Sequence, residues 1–509
     1  MRRGWVGTRV WTGIIVAAAV VGGLGVSVGA QDPGEPLKLN GPMQPSGDVQ
    51  VVEVSADGRW VVYRADEEVP AAFGPIYVSQ AAGGPRVRLS ERRVDSFAID
   101  PTSSVVVYSE RNARLIYAID IDGTNRRVLA EDRGTVVDFT PDGASVLLRL
   151  GDDSRLQPLD GSDPTVLLDG AEQPQLSDDG SMVVAQLRRS GELVAQAAGG
   201  GDPVVLAAPR SGSTIDSFIV SDDGSLVAYR TDVGTGNELH AVPTSGGDPV
   251  RIDRDRPWRA DIGSKLVFAE ENSVVLFRSD QDAAFQLELY AGAADGSGLT
   301  RLNGPLIDGG DVKDWDLSPD GQTVIYVADQ EVAQRRELFA VPVEGGTATK
   351  LNTDLPDRGD VGPPSGNAFE ISADSTTVVF LAEQVTNNVH DLWSVPISGG
   401  EPIRLNGPLP AGGDVKISNS LFGNGIELTP DGTVVYVADQ DTNNVRELWA
   451  VDIGGGTPVK LNGPMTPKGD VLPRLAPWVI ITPRAQVAYV ADQDTNHRRE
   501  LYLVDLPAS

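Results

Sequence analysis

An eighteen-residue segment recurs near the end of the chain and largely decides what the chain can fold into. YVADQDTNNVRELWAVDI at 436–453 returns as YVADQDTNHRRELYLVDL at 489–506, and weaker copies lie at 326–343 and 380–397. Each copy follows a turn such as LSPDG at 317–321. The turn pattern continues upstream, which gives ten units spaced 37–57 residues apart. A repeat of this length predicts units that bury their apolar faces against their neighbours.

Each unit is predicted to form four antiparallel strands. Strand a, at 314–317 in one unit, is reversed by a Pro-Asp-Gly turn, where Pro presets φ and Gly tolerates a positive φ. Strand b, TVIYVA, is rich in β-branched and aromatic residues, and a polar loop leads to strand c, ELFAV. A Gly-Gly turn then leads to strand d, typified by TPVKLN. The repeats lack a helical period, and such units predict the blades of an all-β propeller.

The two ends of the chain complement each other. The last repeat supplies strands a, b and c and then stops, whereas residues 36–40 read as a strand d that nothing precedes. PLKLNGPMQPSGD at 36–48 matches PVKLNGPMTPKGD at 458–470 at ten of thirteen positions. We therefore expect residues 36–40 to pair with strand c near 500–504, so that one blade contains both ends of the chain. A ring closed in this way has no free sheet edge.

These motifs resemble those of the TolB-type propellers, exported bacterial relatives of the WD-type repeats. The resemblance rests on the Ser/Thr-Pro-Asp-Gly turn, the Val-Tyr-x-Ala-Asp that follows it and the Glu-Leu-Trp/Tyr-x-Val strand, and it covers residues 35–506. It implies a multi-bladed propeller of four-stranded antiparallel blades and no particular activity. Rings of this family are usually smaller, often with six blades. Two tandem propellers are thus the alternative to one ring of ten.

The net charge and the N-terminal segment limit the functions and the cellular locations that the sequence allows. A formal net charge of −30 repels nucleic acid and anionic membranes, which excludes nucleic-acid binding. The chain has no cysteine, which excludes disulfides, thiolate metal sites and a lipid-modified cysteine. Residues 1–30 combine a basic start, an apolar stretch and Val-Gly-Ala, as a signal peptide does. We expect an exported propeller of residues 31–509, in the periplasm, on the cell surface or outside the cell. An uncleaved membrane anchor is the alternative.

One group of loops repeats an aspartate. Five connections between strands d and a end in Gly-Asp-Val, as in LNGPLIDGGDV at 302–312. Strand a is innermost in a propeller, so these residues should lie at the rim of the channel, on five consecutive blades. Each carboxylate could accept backbone N–H groups in a turn, or all five could form an acidic rim that binds a cation, a basic group or a protein. The five candidate binding residues are Asp48, Asp311, Asp360, Asp414 and Asp470.

The b–c loops, on the same predicted face, carry alternating oxygen side chains. Such spacing begins many calcium loops, although the glycine and the twelfth-position glutamate of an EF-hand are missing here. Polar hairpin tips explain the pattern equally, and calcium is the only cofactor that the sequence suggests. The six candidate ligands are Asp439, Asp441, Asn443, Asp492, Asp494 and Asn496.

Catalytic signatures are absent from the sequence. The three histidines occupy different repeat positions, and there is no Gly-x-Ser-x-Gly, Walker A or His-Glu-x-x-His motif. We therefore predict a monomeric, non-catalytic scaffold that binds a protein or a small cationic ligand through the face bearing the d–a and b–c loops. The alternative is a propeller enzyme, a hydrolase or lyase acting on polysaccharide, with its site at the channel mouth. A carboxylate pair with a basic neighbour would favour that alternative.

Overall fold

The fold is a ring of ten four-stranded antiparallel sheets. A computed structural model describes residues 35–507 except 69–73, 111–113, 211, 255–260, 270, 364–367, 416–424, 468 and 472–478. All sheets in this part of the chain have four strands, and nine of them use consecutive strands. No helix long and apolar enough to cross a membrane occurs among the described residues. The predicted signal segment, 1–30, lies outside them.

The first five blades follow the closing strand β1. Their strands are β1 Leu37–Lys38; blade 1, β2 Val49–Val54, β3 Trp60–Ala65, β4 Ile76–Gln80, β5 Val87–Arg88; blade 2, β6 Val94–Ile99, β7 Val105–Glu110, β8 Ile116–Asp120, β9 Arg127–Ala130; blade 3, β10 Gly134–Phe139, β11 Ser145–Leu150, β12 Asp153–Pro158, β13 Thr165–Asp169; blade 4, β14 Ala171–Leu176, β15 Met182–Leu187, β16 Leu193–Ala197, β17 Val204–Ala207; and blade 5, β18 Thr214–Val220, β19 Leu226–Asp232, β20 Asn237–Pro243, β21 Val250–Arg251.

The other five blades complete the ring. Their strands are blade 6, β22 Ile262–Ala269, β23 Val274–Ser279, β24 Glu288–Ala293, β25 Leu299–Arg301; blade 7, β26 Val312–Leu317, β27 Thr323–Ala328, β28 Glu337–Pro342, β29 Thr349–Lys350; blade 8, β30 Phe369–Ile371, β31 Thr377–Ala382, β32 Asp391–Pro396, β33 Ile403–Arg404; blade 9, β34 Ile426–Leu428, β35 Thr433–Ala438, β36 Glu447–Asp452, β37 Val459–Lys460; and blade 10, β38 Val479–Thr482, β39 Gln486–Ala491, β40 Glu500–Asp505.

The predicted closure is confirmed. Strand β1 pairs antiparallel with β40, with Leu37 opposite Leu503 and Lys38 opposite Tyr502. The pairing continues past the strand, because the Leu39 N–H donates to the carbonyl of Leu501 at 2.9 Å. Blade 10 therefore has the order β38-β39-β40-β1, with its outermost strand taken from the start of the described chain.

Ten clusters of buried side chains hold the sheets together, and each joins two neighbouring blades. Alternate residues of one strand face opposite neighbours. In blade 7, Tyr326 packs with Leu276 of blade 6, whereas the adjacent Ile325 packs with Phe380 of blade 8. The remaining clusters link successive pairs in the same way, and the one that contains Leu503 joins blade 10 to blade 1. The interfaces form one circle, so the chain is a single ten-bladed ring and not two tandem propellers.

The innermost strand departs from expectation in three blades. We predicted that strand a begins at each Gly-Asp-Val, and it does so at Val49 and Val312. In blades 8, 9 and 10, the corresponding Val361, Val415 and Val471 form only isolated bridges. The continuous strand begins eight or more residues later, at Phe369 in blade 8. In blades 1 and 7 the same valine precedes a register shift.

Candidate functional site

The d–a and b–c loops meet on one side of the ring, as predicted. The Gly463 N–H donates to Gln493 Oε1 at 3.0 Å, and the Thr466 hydroxyl donates to the Asp492 carbonyl at 3.1 Å. The a–b turns of neighbouring blades meet on the other side, where the Asp57 N–H donates to Ser103 Oγ at 3.0 Å. We call these two surfaces the loop face and the turn face.

A buried asparagine fixes the start of each long d–a loop. The Oδ1 atom of Asn303 accepts the N–H of Leu289 at 2.7 Å, while its Nδ2 group donates to the Gly304 carbonyl at 2.8 Å. Because the side chain uses both ends, it holds the loop against strand c of the preceding blade. The same pair of bonds recurs in the other four loops, at Asn40, Asn352, Asn406 and Asn462. The asparagine of the repeated Leu-Asn motif is therefore a framework residue, a role that our sequence analysis missed.

The five rim aspartates share one geometry. In each, Oδ1 accepts the backbone N–H of a residue just before strand c of the preceding blade, at 2.7–2.9 Å. The carboxylates therefore clip neighbouring blades together; they accept backbone N–H groups, as one interpretation of the sequence proposed, but from the preceding blade and not within a local turn. The side chains of four of them are 25–31% exposed, so each still reaches solvent. The pairs are Asp48 with Arg499, Asp311 with Leu287, Asp360 with Arg336, Asp414 with His390 and Asp470 with Arg446.

Basic side chains moderate the charge of this rim. Lys313 Nζ lies 3.0 Å from Asp311 Oδ2, and Arg336 Nη2 lies 3.0 Å from Asp360 Oδ2. A second carboxylate stands near the first, however, because the Asp311 N–H donates to Asp329 Oδ1 at 2.6 Å. The Asp311 position therefore holds two carboxylates and one base and keeps a net negative charge.

Carboxylate crowding affects protonation at two rim positions. Burial raises the pKa of Asp470, and the nearby charges of Asp492 and Asp439 raise it further against the opposing effect of Arg446. Burial likewise raises the pKa of Asp66, with a further contribution from Asp48. A cationic group brought to the rim would relieve this repulsion, because opposite charge favours the ionised form of a carboxylate.

A sixth copy of the rim aspartate went unrecognised in the sequence. The Asp261 N–H donates to Asp280 Oδ1 at 2.7 Å, and the Asp280 N–H donates back to the Asp261 carbonyl at 3.3 Å. Asp311 and Asp329 of the next blade exchange the same two bonds. Blade 6 thus repeats the exchange of bonds between the d–a and b–c loops, which is one of the two features of the rim. Its sequence signal was Ala-Asp-Ile in place of Gly-Asp-Val, and the Ser-Asp-Gln-Asp at 279–282 would have revealed it.

The structure brings the six candidate calcium ligands to two b–c loops but does not gather their oxygens. Asp439 is fully buried, and its two oxygens accept the N–H groups of Asp414 and Asn444 at 2.5 and 2.9 Å. Asp441 instead accepts Lys460 Nζ at 2.7 Å. Asp492 likewise accepts two backbone N–H groups, from Asp470 and His497, and Asp494 accepts Lys38 Nζ. Asn443 and Asn496 are exposed. In the described part of the chain, no group of three or more His, Cys, Asp or Glu residues could hold a metal ion. Calcium binding remains a prediction.

A lysine on strand d explains the second acidic position of these loops. Lys460 Nζ lies 2.7 Å from Asp441 and 2.8 Å from Glu447, which is buried at the start of strand c. Lys38 bridges Asp494 and Glu500 in the same way. The repeated Asp-x-Asp therefore has a structural function at both ends, because its first carboxylate caps the hairpin tip and its second accepts the same lysine that pairs with a buried glutamate.

Carboxylates also line the innermost strands. Burial, together with the neighbouring Glu370, raises the pKa of Glu427 to about 8. Burial raises the pKa of Glu53 to about 8, although the Ile99 N–H that the carboxylate accepts opposes the shift. Glu370 and Glu427 lie on adjacent blades, and the charge of Glu370 contributes to the raised pKa of Glu427. The propeller-enzyme alternative would need a basic group beside these two carboxylates.

Comparisons with known proteins show likeness of fold. No family model and no curated protein matches the chain. Among solved structures, a eukaryotic initiation factor is similar with a TM-score of 0.49 and 10% identity, over 76% of this chain and 93% of that one. An oligogalacturonate lyase from Vibrio parahaemolyticus gives 0.38 and 14%, over 70% and 96%. An oligogalacturonate lyase in complex with manganese gives 0.36 and 11%, over 82% and 98%. With TM-scores below 0.5 and identities of 10–14%, these likenesses assign neither a family nor an activity to the chain.

Proposed function

We propose that the protein is an exported, non-catalytic scaffold that binds a protein or a small cationic ligand through the loop face. The observation that carries this proposal is the repeated anchoring of that face. On five consecutive blades, a rim aspartate and a buried asparagine hold an eight-residue loop to the preceding blade by the same bonds. Loops held in this way lose little conformational entropy when a partner binds.

The charge on the face supports a basic partner. Four of the five rim positions combine a clipped aspartate with a second carboxylate from the b–c loop, and Asp311 with Asp329 is typical. Carboxylates repeated around a channel mouth focus a negative potential, which speeds the approach of a cationic group and weakens as salt is added.

Export and kinship with TolB-type propellers belong to the same proposal. The basic and apolar residues of 1–30 support export, and the repeated turn and strand motifs support the kinship. We expect the protein to act as a monomer, because β1 covers the edge of β40 and the outermost strands that remain as edges are short.

The test compares the mature chain with a variant that carries Asp→Asn at 311, 360, 414 and 470. Asparagine can still accept the backbone N–H, so the variant should melt near the wild-type temperature. Used as bait in a pull-down from the periplasm or medium of the source organism, it should retain at least tenfold less partner. An unfolded variant would make the aspartates purely structural, and undiminished capture would move the binding surface to another face.

A further inference from the structure

The tips of three b–c loops carry exposed apolar residues where the repeat otherwise has polar ones. Phe285 of blade 6 is 89% exposed, Val332 of blade 7 is 43% exposed, and Val385 of blade 8 is 59% exposed. In the equivalent loop of blade 9 these positions hold Asn444, Thr442 and Asp441. Three adjacent blades have thus replaced polar tip residues with apolar ones that the ring itself does not bury.

The framework would favour the polar residues at these positions. Phe285 adopts a φ of +63°, close to the +65° of Asn444 at the same position, and the left-handed region suits asparagine far better than a bulky side chain. At the position of Val385, blades 9 and 10 carry Asp441 and Asp494, which pair with the strand d lysine. Neither substitution adds packing within the ring, so both point to a contact outside it.

Acidic d–a loops alternate with these apolar tips. Gln286, next to Phe285, donates from Nε2 to the Ile307 carbonyl at 2.6 Å, so the d–a loop between blades 6 and 7 lies against the first tip. That loop exposes Asp308, and the next one exposes Asp354 and Asp357. Around the ring the order is therefore tip, acidic loop, tip, acidic loop, tip.

The charge of the loop face is concentrated over the same blades. The five loops from the b–c loop of blade 6 to that of blade 8 contain seven carboxylates and three arginines, a net charge of −4. The next five, up to the d–a loop that enters blade 1, contain five carboxylates and four basic residues, a net charge of −1. These loops are, in order, 281–287, 304–311, 330–336, 353–360 and 384–390, then 407–414, 440–446, 463–470, 493–499 and 41–48.

We infer that the loop face of blades 6 to 8 binds an extended polypeptide segment in which apolar and basic side chains alternate. This inference rests on the proposed function and assigns its partner class. The apolar tips lie on separate blades, so one ligand must span all three to contact them, as an extended chain does. The negative charge between the tips favours Lys or Arg and disfavours an anionic membrane surface. Phe285 is the expected anchor, since aromatic side chains dominate binding energy at interfaces.

The test selects peptides from a display library of random 16-residue sequences on the mature chain. Enriched peptides should be rich in Lys or Arg and in apolar residues. They should bind the triple variant Phe285→Asn, Val332→Thr, Val385→Thr at least tenfold more weakly, while its melting temperature stays the same or rises. A matched control, Val166→Thr, Val205→Thr, Val459→Thr, removes equally exposed valines from outer strands and should bind normally. The variant Asp→Asn at 308, 354 and 357 should bind less tightly and with a weaker dependence on salt.

Three outcomes would overturn the inference: no enrichment over a bare surface, enrichment of acidic or uncharged peptides, or equal binding to the triple variant. If the peptides bind the triple variant as tightly as the wild type but bind the variant with Asn at 311, 360, 414 and 470 more weakly, the proposed function stands and only this assignment fails. If neither variant changes binding, both fail.

Discussion

Removal of the closing strand should destabilise the ring far more than an ordinary terminal truncation. In a chain that begins at Gly41, blade 10 loses the buried Leu39, and truncation of a buried leucine costs about 2–5 kcal/mol. The Leu501 N–H loses Asn40 Oδ1, its acceptor at 2.6 Å, at about 1–3 kcal/mol. Glu500, buried at the start of strand c, loses Lys38 at 2.6 Å; because Lys38 is one-third exposed, we assign about 1–3 kcal/mol.

Together these losses approach about 5–10 kcal/mol, similar to the whole stability of many domains. We expect the melting temperature, followed by circular dichroism, to fall on the order of 10 °C. The variant should also self-associate on size-exclusion chromatography, because β40 becomes a free edge. A synthetic peptide of residues 35–48, added in excess, should restore the melting temperature, and a scrambled peptide should not. An unchanged melting temperature in the truncated chain would refute the closure argument.

Three further predictions concern the carboxylates. Asp311→Ala should lower the free energy of unfolding in urea by about 1–3 kcal/mol, because Oδ1 accepts the Leu287 N–H at 2.8 Å, while Asp311→Asn should lower it much less; equal losses would contradict the clip. The pKa of Glu427 is raised from 4.5 to about 8, so wild-type stability should fall as pH rises through that interval, and that of Glu427→Gln should fall less, because Glu53, whose pKa is also raised to about 8, is still present. Since Glu427 is only half-buried, the pH-dependent difference in the free energy of unfolding between wild type and Glu427→Gln should reach about 1–3 kcal/mol at pH 8. Free energies that change in parallel with pH would contradict the raised pKa of Glu427. Millimolar calcium should leave the melting temperature unchanged, because Asp439 and Asp441 already accept protein donors; a rise that a chelator reverses would establish the metal site.

The repeat made most of the fold predictable, because the same residues perform the same task in every blade. The Pro-Asp-Gly turn and the β-branched strand b are local signals, and the missing strand d at the end of the chain indicated where β1 must pair. The interruption of strand a before Phe369 was not predictable in this way. The residues after Val361 read Gly-Pro-Pro-Ser-Gly-Asn at 362–367, which is a turn or loop signal, but the repeat alone placed the start of strand a at the preceding Gly-Asp-Val.

The candidate site was less predictable, since spacing does not identify a partner. Asp439-x-Asp441 has the spacing of a calcium loop and of a capped hairpin alike. The two structures differ in whether the oxygens converge or accept separate donors, which depends on Asp414 and Lys460, distant in sequence. The exposed Phe285 was hidden for another reason: its meaning appears only when its loop is superimposed on those of neighbouring blades, and blade 6 has the most altered turn sequence of the ten.

Ring closure also orders the events of folding. Blades 1 to 9 are each built from strands that lie close together in the chain, and each can form soon after its own strands have been synthesised. Blade 10 pairs Leu37 with Leu503, so β1 waits without a partner until almost the whole propeller has been made. The last step is then a docking of two ends already held by the ring, which reduces the entropy lost in closing so long a loop. Until that step the edge of β40 is open, and a chaperone or a second copy can compete for it.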